Sequence, residues 1–228
     1  MIYEKSKEGI LSEALFKNPT SEYRGTPFWA WNTKLDKGIL SEQIKYFKEM
    51  GFGGFHMHPR IGMQTPYLSE AFMEFVAHCV DEAEQEDMLA WLYDEDRWPS
   101  GYAGGLVTKE PRYRARYLLF TKTPYYKGEN YTTDGDSASR GSRTGKGTCL
   151  ASYDVKLDSK GYLQNYKQLK EDEVAKGEKW YAYLEVALES EWFNNQTYVD
   201  TLNKEAIQKF IQITYGAYHN KVGDRFVR

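Results

Sequence analysis

The chain has 228 residues and a formal net charge of −3, enough for one large domain or two small ones. Its basic residues are scattered, which argues against nucleic acid as a partner, and no apolar run of about 18 residues exists to span a membrane. The N-terminus is too polar for a signal peptide, and the two cysteines, Cys79 and Cys149, do not form a disulfide framework. We therefore expect a cytoplasmic protein.

Short apolar strands alternate with amphipathic helices in the first half of the chain. Strands are predicted over residues 27–32, 52–58 and 88–93. The first helix carries Leu40, Ile44 and Phe47 on one face, and we expect Asp36 or Ser41 to cap its start and Gly51 to end it. The second begins at Ser69 and buries Phe72, Val76, Val80 and Ala83. Such crossovers favour parallel strands.

The second half has a different pattern. Four further strands, over 116–122, 149–157, 162–169 and 180–188, are rich in aromatic and apolar residues, with a hairpin turn at 158–161. The Gly-, Ser- and Thr-rich stretch 127–148 is predicted to be a mobile loop. A last helix, over about 203–219, is predicted to begin at a capping Asn203.

Together these elements predict an α/β protein. The predicted architecture is the first strands of an incomplete (β/α)8, TIM-like barrel, with an antiparallel β insert after the third strand. The expected divisions are an N-terminal segment over 1–26, the first βα units over 27–114, the insert over 115–190, and a return to the barrel over 191–228.

Polar and aromatic residues collect where the predicted strands end. Carboxyl ends of parallel strands meet at one edge, where α/β enzymes build their sites. Carboxylates beside tryptophan suit a sugar, because hydroxyls form hydrogen bonds and the C–H face stacks on an aromatic ring. The candidate substrate-binding residues are Trp31, Asn32, His56, His58, Arg60, Asp94, Glu95, Asp96 and Trp98.

Other interpretations of these residues remain open. His56 and His58 point to the same face of a strand, and such a pair also suits a metal-dependent hydrolase, although further ligands are not evident. The acidic run 94–96 supplies at most one of the two carboxyl groups that glycoside hydrolysis requires, since those groups stand about 5–10 Å apart across the scissile bond. Trp31 is equally suited to packing, and the run 101–105 to a tight turn that lets backbone approach a ligand.

Four segments taken together resemble a known family. PFWAWN, GFGGFHMHPRIGMQTPYLSEAFM, LAWLYDEDRWPSGYAGG and YVDTLNKEAIQKFI are similar to the N-terminal part of the catalytic barrel of glycoside hydrolase family 106, the α-L-rhamnosidases, and its bacterial relatives. The resemblance covers about residues 27–105 and 192–218. It implies a barrel glycosidase that inverts configuration with two glutamates, in a family whose characterised member uses calcium.

The chain departs from that family pattern after its last helix. The resemblance implies a following strand with an acidic motif of the type FTDEP, which this sequence does not contain, so neither catalytic glutamate is carried over to any residue here. We therefore expect the chain alone to be inactive, and its partners to be a carbohydrate and either the missing remainder of the barrel or a second copy. The alternative functions are a non-catalytic carbohydrate-binding module and a metal-dependent hydrolase centred on His56 and His58.

Overall fold

The computed structural model describes residues 12–126 and 143–226, and the chain divides into two compact units. Unit 1 comprises Met1–Gly104 and Gln208–Arg228, and unit 2 comprises Gly105–Ile207. The mobile loop predicted over 127–148 falls largely outside the described residues. Of the described part of that stretch, residues 143–147 lead into the second strand of unit 2, which begins at Thr148.

Unit 1 is built on a parallel sheet of three strands in the order β1-β2-β3. Its strands are β1 (Phe28–Trp31), β2 (Gly54–Pro59) and β3 (Leu89–Leu92). Its helices are α1 (Glu13–Lys17), α2 (Lys37–Glu49), α3 (Glu70–Gln85) and α4 (Lys204–Val222), of which the last belongs to unit 1 from Gln208 onward.

The predicted capping residues start three of these helices. Asp36 Oδ1 accepts the backbone N–H of Ile39 at 3.1 Å at the start of α2, and Ser69 Oγ accepts that of Phe72 at 3.2 Å at the start of α3. Asn203 Oδ1 accepts the N–H of Glu205 at 3.0 Å before α4. Each side chain satisfies a donor that the first turn of a helix leaves unpaired, so these predictions are confirmed.

The core of unit 1 lies on one face of the sheet. Strand alternation places Trp29 and Trp31 on that face, beside Phe55 and Met57 of β2, and all four are buried. Trp31 packs edge-to-face on Phe72 of α3, with ring centroids 5.7 Å apart. Helices α2 and α3 contribute further members of this cluster, among them Leu40, Ile44, Met73, Val76 and Cys79, and α4 contributes Tyr218 and Val222.

Unit 2 is an antiparallel sheet of four strands in the order β4-β7-β5-β6. The strands are β4 (Arg116–Thr121), β5 (Thr148–Leu157), β6 (Leu163–Gln168) and β7 (Glu178–Val186). The predicted hairpin turn joins β5 to β6: Asp158 Oδ1 accepts the N–H groups of Lys160 and Tyr162, and Gly161 has a φ of 84° that favours glycine. Cys149 lies exposed at the start of β5.

The prediction of an incomplete TIM-like barrel is wrong. The described residues form a three-stranded parallel sheet and a four-stranded antiparallel sheet, which is a mixed α/β fold. Alternating strands and helices with consecutive strands as neighbours occur in open sheets as well as in barrels, and the hydrophobic pattern does not specify closure. The individual strands and helices, including the antiparallel strands after β3, do occur where the sequence predicts them.

Candidate functional site

The carboxyl ends of the three parallel strands lie at one edge of the sheet in unit 1. The register pairs Trp31 of β1 with Pro59 of β2, and Met57 of β2 with Leu92 of β3. The residues that leave the strands at this edge are therefore neighbours: Asn32 after β1, Arg60 after β2 and Tyr93 after β3. Arg60 and Asn32 are exposed, so both are available to a ligand.

The sheet face opposite the core carries a group of rings, which we call the ring face: Phe28, His56, His58, Trp91 and Tyr93. His58 lies between Phe28 and Tyr93, with centroid distances of 3.9 and 3.6 Å. His56 stacks on Trp91 at 5.5 Å, with an interplanar angle of 15°. Phe28 is 57% exposed, so the ring face presents aromatic surface to solvent.

His58 is the buried polar group of the ring face. Its side chain is 2% exposed, and its Nδ1 atom makes no well-formed hydrogen bond to the described residues. Burial lowers the pKa of His58 to about 4, since removing the imidazolium from water is unfavourable. The charge of Arg60 lowers this pKa further, while the backbone at Pro59 and the charge of Asp96 raise it. Arg60 and Asp96 therefore both act on this imidazole.

The acidic residues lie in the loop after β3 rather than on the strand, so strand alternation does not apply to them. Asp94 accepts hydrogen bonds from Ser100 Oγ at 2.6 Å and from Tyr215 OH at 2.7 Å. Asp96 is buried and pairs with the Arg97 guanidinium at 3.1 Å. These contacts fix the two carboxylates in place.

Glu95 is an internal anchor for the loop. Its carboxylate is fully buried and accepts five backbone N–H groups at 2.6 to 3.0 Å, from Asp96, Gly101, Tyr102, Ala103 and Gly104. Burial raises the pKa of Glu95 to about 7, although these amides favour the ionised form and act in the opposite direction. The glycine-rich turn thus directs its backbone to Glu95.

Four residues of the predicted binding set are buried: Trp31, His58, Glu95 and Asp96. His58 belongs to the ring face and Asp96 pairs with Arg97, so these two keep a positioning role. Trp31 is 2% exposed and belongs to the hydrophobic core, because alternation turns it toward α3 along with Trp29. Glu95 is surrounded by its own loop. Neither side chain offers a surface to a sugar, so we remove both from the proposed set.

Trp98 is the exposed aromatic residue of the same loop. Its side chain is 68% exposed, and the Trp98–Pro99 peptide bond is cis. The loop that Glu95 anchors therefore presents an indole to solvent. An exposed indole on a loop that is held in place offers a large apolar surface on which a ligand can stack.

The described residues do not fit the calcium or transition-metal sites considered from the sequence. No group of three His, Cys, Asp or Glu side chains suitable for a metal occurs within 12–126 and 143–226. The three acids of the β3 loop are each engaged, by Ser100 and Tyr215, by backbone amides, and by Arg97. The His56 and His58 rings lie on the same face, as predicted, but against other rings.

Sequence reasoning missed three members of the ring face and one residue that supports it. Phe28, Trp91 and Tyr93 follow from the period-two alternation that places them on the face opposite the buried Trp29 and the half-buried Leu92. Tyr215 lies more than a hundred residues from Asp94 in the sequence, and no local pattern links the two.

Comparisons with known proteins add a structural likeness. No protein-family model matches the sequence, and no curated protein matches it either. The chain is similar to the solved rhamnosidase of Novosphingobium sp. PP1Y, with a TM-score of 0.42 and 13% identity over 76% of this chain. It spans 26% of the length of that rhamnosidase. A TM-score of this size leaves fold and function to be argued from the residues themselves. None of the helices in the described ranges is long and apolar enough to cross a bilayer.

Proposed function

We propose that unit 1 binds a carbohydrate on the ring face and the adjoining carboxyl edge of the parallel sheet. The observation that carries this proposal is the ring face itself, where the exposed Phe28 lies against the buried imidazole of His58. An exposed ring beside fixed polar groups matches the two sides of a sugar, whose C–H faces stack and whose hydroxyls form hydrogen bonds.

The contact residues have distinct roles in this proposal. Phe28 and Trp98 provide stacking surfaces, and both are more than half exposed. Arg60 and Asn32 offer hydrogen-bond donors at the sheet edge, and the Arg60 guanidinium carbon lies 5.8 Å from the centre of the Phe28 ring. Because this guanidinium lies over the ring, a sugar that stacks on Phe28 would move the Arg60 side chain aside and take up its N–H groups with a hydroxyl.

The buried polar residues position these contact groups. The buried His58 ring packs against the Phe28 ring, and the His56 ring stacks on that of Trp91. Asp94, Asp96 and Glu95 fix the loop that carries Trp98. We assign them to positioning because each carboxylate already has partners within unit 1.

The finer proposal is an α-L-rhamnoside as the ligand, in a protein of the glycoside hydrolase type. It rests on the resemblance of the four sequence segments to family 106. Bond cleavage is not assigned to any described residue, since the acids at the sheet edge are engaged in structural contacts. A carbohydrate-binding role without hydrolysis therefore stands as the second candidate, and a binding assay combined with a turnover assay separates the two.

The test is a titration of the full chain with L-rhamnose, methyl α-L-rhamnoside and a panel of other monosaccharides. NMR and calorimetry measure the binding. Phe28→Ala and Trp98→Ala are each expected to weaken binding by about tenfold, through loss of a stacking surface. Turnover of a chromogenic α-L-rhamnoside by the same samples reports whether binding leads to hydrolysis.

Matched controls are available for both substitutions. Phe16→Ala removes an exposed phenyl group from α1, and Trp192→Ala removes an exposed indole from unit 2. Neither control is expected to change binding. The proposal fails if the wild-type chain binds no sugar at millimolar concentration, or if the control variants lose as much affinity as the ring-face variants.

A further inference from the structure

A band of aromatic side chains crosses all four strands of unit 2. It takes one residue from each strand, and we call it the aromatic strip: Phe120 of β4, Trp180 of β7, Tyr153 of β5 and Tyr166 of β6. The register pairs Phe120 with Ala182, Tyr153 with Trp180, and Val155 with Tyr166. Directly opposed residues of an antiparallel pair share a face, so the strip lies on one side of the sheet.

The rings of the strip form a continuous surface. The Phe120 centroid lies 5.5 Å from that of Trp180, with an interplanar angle of 27°, and 5.5 Å from that of Tyr153. Tyr153 in turn lies 6.3 Å from Tyr166. The small side chain of Ala182, between Trp180 and Leu184 on the same face, leaves room for the Phe120 ring to reach across β7.

The strip is open to solvent at both ends. Phe120 is 46% exposed and Tyr166 is 63% exposed, while Trp180 and Tyr153 between them are half-buried. Exposed contiguous apolar surface on a sheet is typical of a binding site.

An ion pair lies on one side of the aromatic strip, next to Trp180. Lys122 Nζ and Glu178 form an ion pair at 2.8 Å, and the same ammonium lies 5.3 Å from the centre of the Trp180 ring. The Trp180 indole N–H donates to Glu178 at 3.3 Å. This arrangement offers hydrogen-bond donors and acceptors without net charge. It suits a neutral hydroxylated ligand, whereas a polyanion requires clustered unpaired basic groups.

We propose that the aromatic strip is a separate carbohydrate-binding surface that takes a neutral oligosaccharide chain. Its rings span four strands, so successive sugar units stack along it, and the Lys122–Glu178 pair hydrogen-bonds to hydroxyls at one side. The strip lies on residues of unit 2 only and does not depend on the ring-face site of unit 1.

The experiment titrates the full chain with four neutral hexasaccharides: cellohexaose, xylohexaose, mannohexaose and maltohexaose. Tryptophan fluorescence and NMR follow binding. Tyr166→Ala and Phe120→Ala are expected to weaken binding of the preferred chain by about tenfold. Tyr162→Ala is the matched control, because Tyr162 is 69% exposed and lies in the β5–β6 turn outside the strip. It is expected to bind as the wild type does.

The outcomes separate this proposal from the ring-face proposal. If the strip is the site, the double variant Phe28→Ala/Trp98→Ala binds hexasaccharides as the wild type does. This result is expected whether or not the double variant still binds monosaccharides. Absence of binding by the wild type at millimolar hexasaccharide overturns the proposal, as does equal loss in Tyr162→Ala. The proposal is also overturned if the chain self-associates, if Phe120→Ala abolishes this self-association, and if hexasaccharides do not compete with it. In that case the strip binds a second copy of the chain.

Discussion

Tyr215 of α4 donates a hydrogen bond from its hydroxyl to Asp94 Oδ2 at 2.7 Å, across 121 residues of sequence. One turn further along the helix, the Tyr218 hydroxyl donates to the backbone carbonyl of Tyr93 at 2.8 Å. Burial raises the pKa of Tyr215 to about 12, and the bond to Asp94 raises it as well. The last helix thus sets the position of the end of β3, where the proposed sugar site lies.

Removing the Tyr215 hydroxyl is expected to loosen that end of the strand. Tyr215→Phe keeps the ring but loses the bond, which should lower the free energy of unfolding by about 1 kcal/mol. Tyr46→Phe is the control, because Tyr46 is equally exposed and its hydroxyl also donates to a carboxylate at 2.7 Å, that of Glu42, but within a single helix. Urea unfolding of both variants measures the difference, and equal losses in the two would contradict the role given to Tyr215.

Glu95 is expected to be the most sensitive acidic residue of unit 1. Glu95→Ala leaves five backbone amides without their acceptor and should lower the free energy of unfolding by about 3 kcal/mol. Glu95→Gln keeps one acceptor oxygen and should lower it less. Glu49→Ala, on the exposed end of α2, is the control. Denaturation and limited proteolysis of the loop 95–104 measure both effects, and an unchanged Glu95→Ala variant would refute them.

Two buried groups of unit 1 are expected to give opposite pH dependences. The folded pKa of His58, about 4, lies below the ordinary value of 6.5, so its contribution to stability is lost as pH falls from about 6.5 to 4. The folded pKa of Glu95, about 7, lies above 4.5, so its contribution is lost as pH rises from 4.5 to 7. In the wild type these two contributions to the pH dependence of the unfolding free energy have opposite signs and offset each other.

Single variants should reveal each slope. His58→Gln is expected to lose stability, relative to the wild type, as pH rises from about 4 to 6.5. Glu95→Gln is expected to gain stability, relative to the wild type, as pH rises from 4.5 to about 7, and each change should be roughly 1 to 3 kcal/mol across its window. His219→Gln, at an exposed position of α4, should follow the wild type. Unfolding free energies at half-unit pH steps provide the measurement, and parallel curves for all four proteins would exclude this linkage.

A close backbone approach between β2 and β3 makes Gly54 a sensitive position. A Cβ atom at residue 54 would lie 2.2 Å from the carbonyl oxygen of Leu89, so Gly54→Ala must separate the strands. We expect a loss of at least about 2 kcal/mol. Gly216→Ala is the control: nothing lies within 4 Å of its added Cβ, and alanine in a helix should add about 0.5 to 1 kcal/mol. Thermal unfolding distinguishes the opposite signs.

The local elements of the fold were predictable from the sequence because their signals are local. The alternation around Trp29 and Trp31, the stripe of α3 and the cap at Ser69 each depend on residues within one or two turns. The incomplete TIM-like barrel was predicted wrongly because neither alternation nor helix periodicity distinguishes the strands of an open sheet from those of a barrel. Local sequence patterns therefore predict the secondary-structure elements, but they do not predict how these elements assemble into a tertiary fold.

The candidate site was predictable only in part, for the same reason. The clustering of His58, Arg60 and Asp96 follows from parallel strands with a common carboxyl edge. The burial of Glu95 does not, because it depends on how the turn 101–104 folds back onto it. A run of acids next to glycines is compatible with both an exposed acid cluster and an internal anchor, and only coordinates decide between them.

The contrast between the two thiols makes the protein simple to label. Cys79 is buried in the core of unit 1, and burial raises the pKa of its thiol, so little reactive thiolate forms there. Cys149 is exposed at the start of β5, the strand that carries Tyr153. A maleimide fluorophore should therefore attach once per native chain, on the sheet that bears the aromatic strip, and report on ligands there without any engineered cysteine.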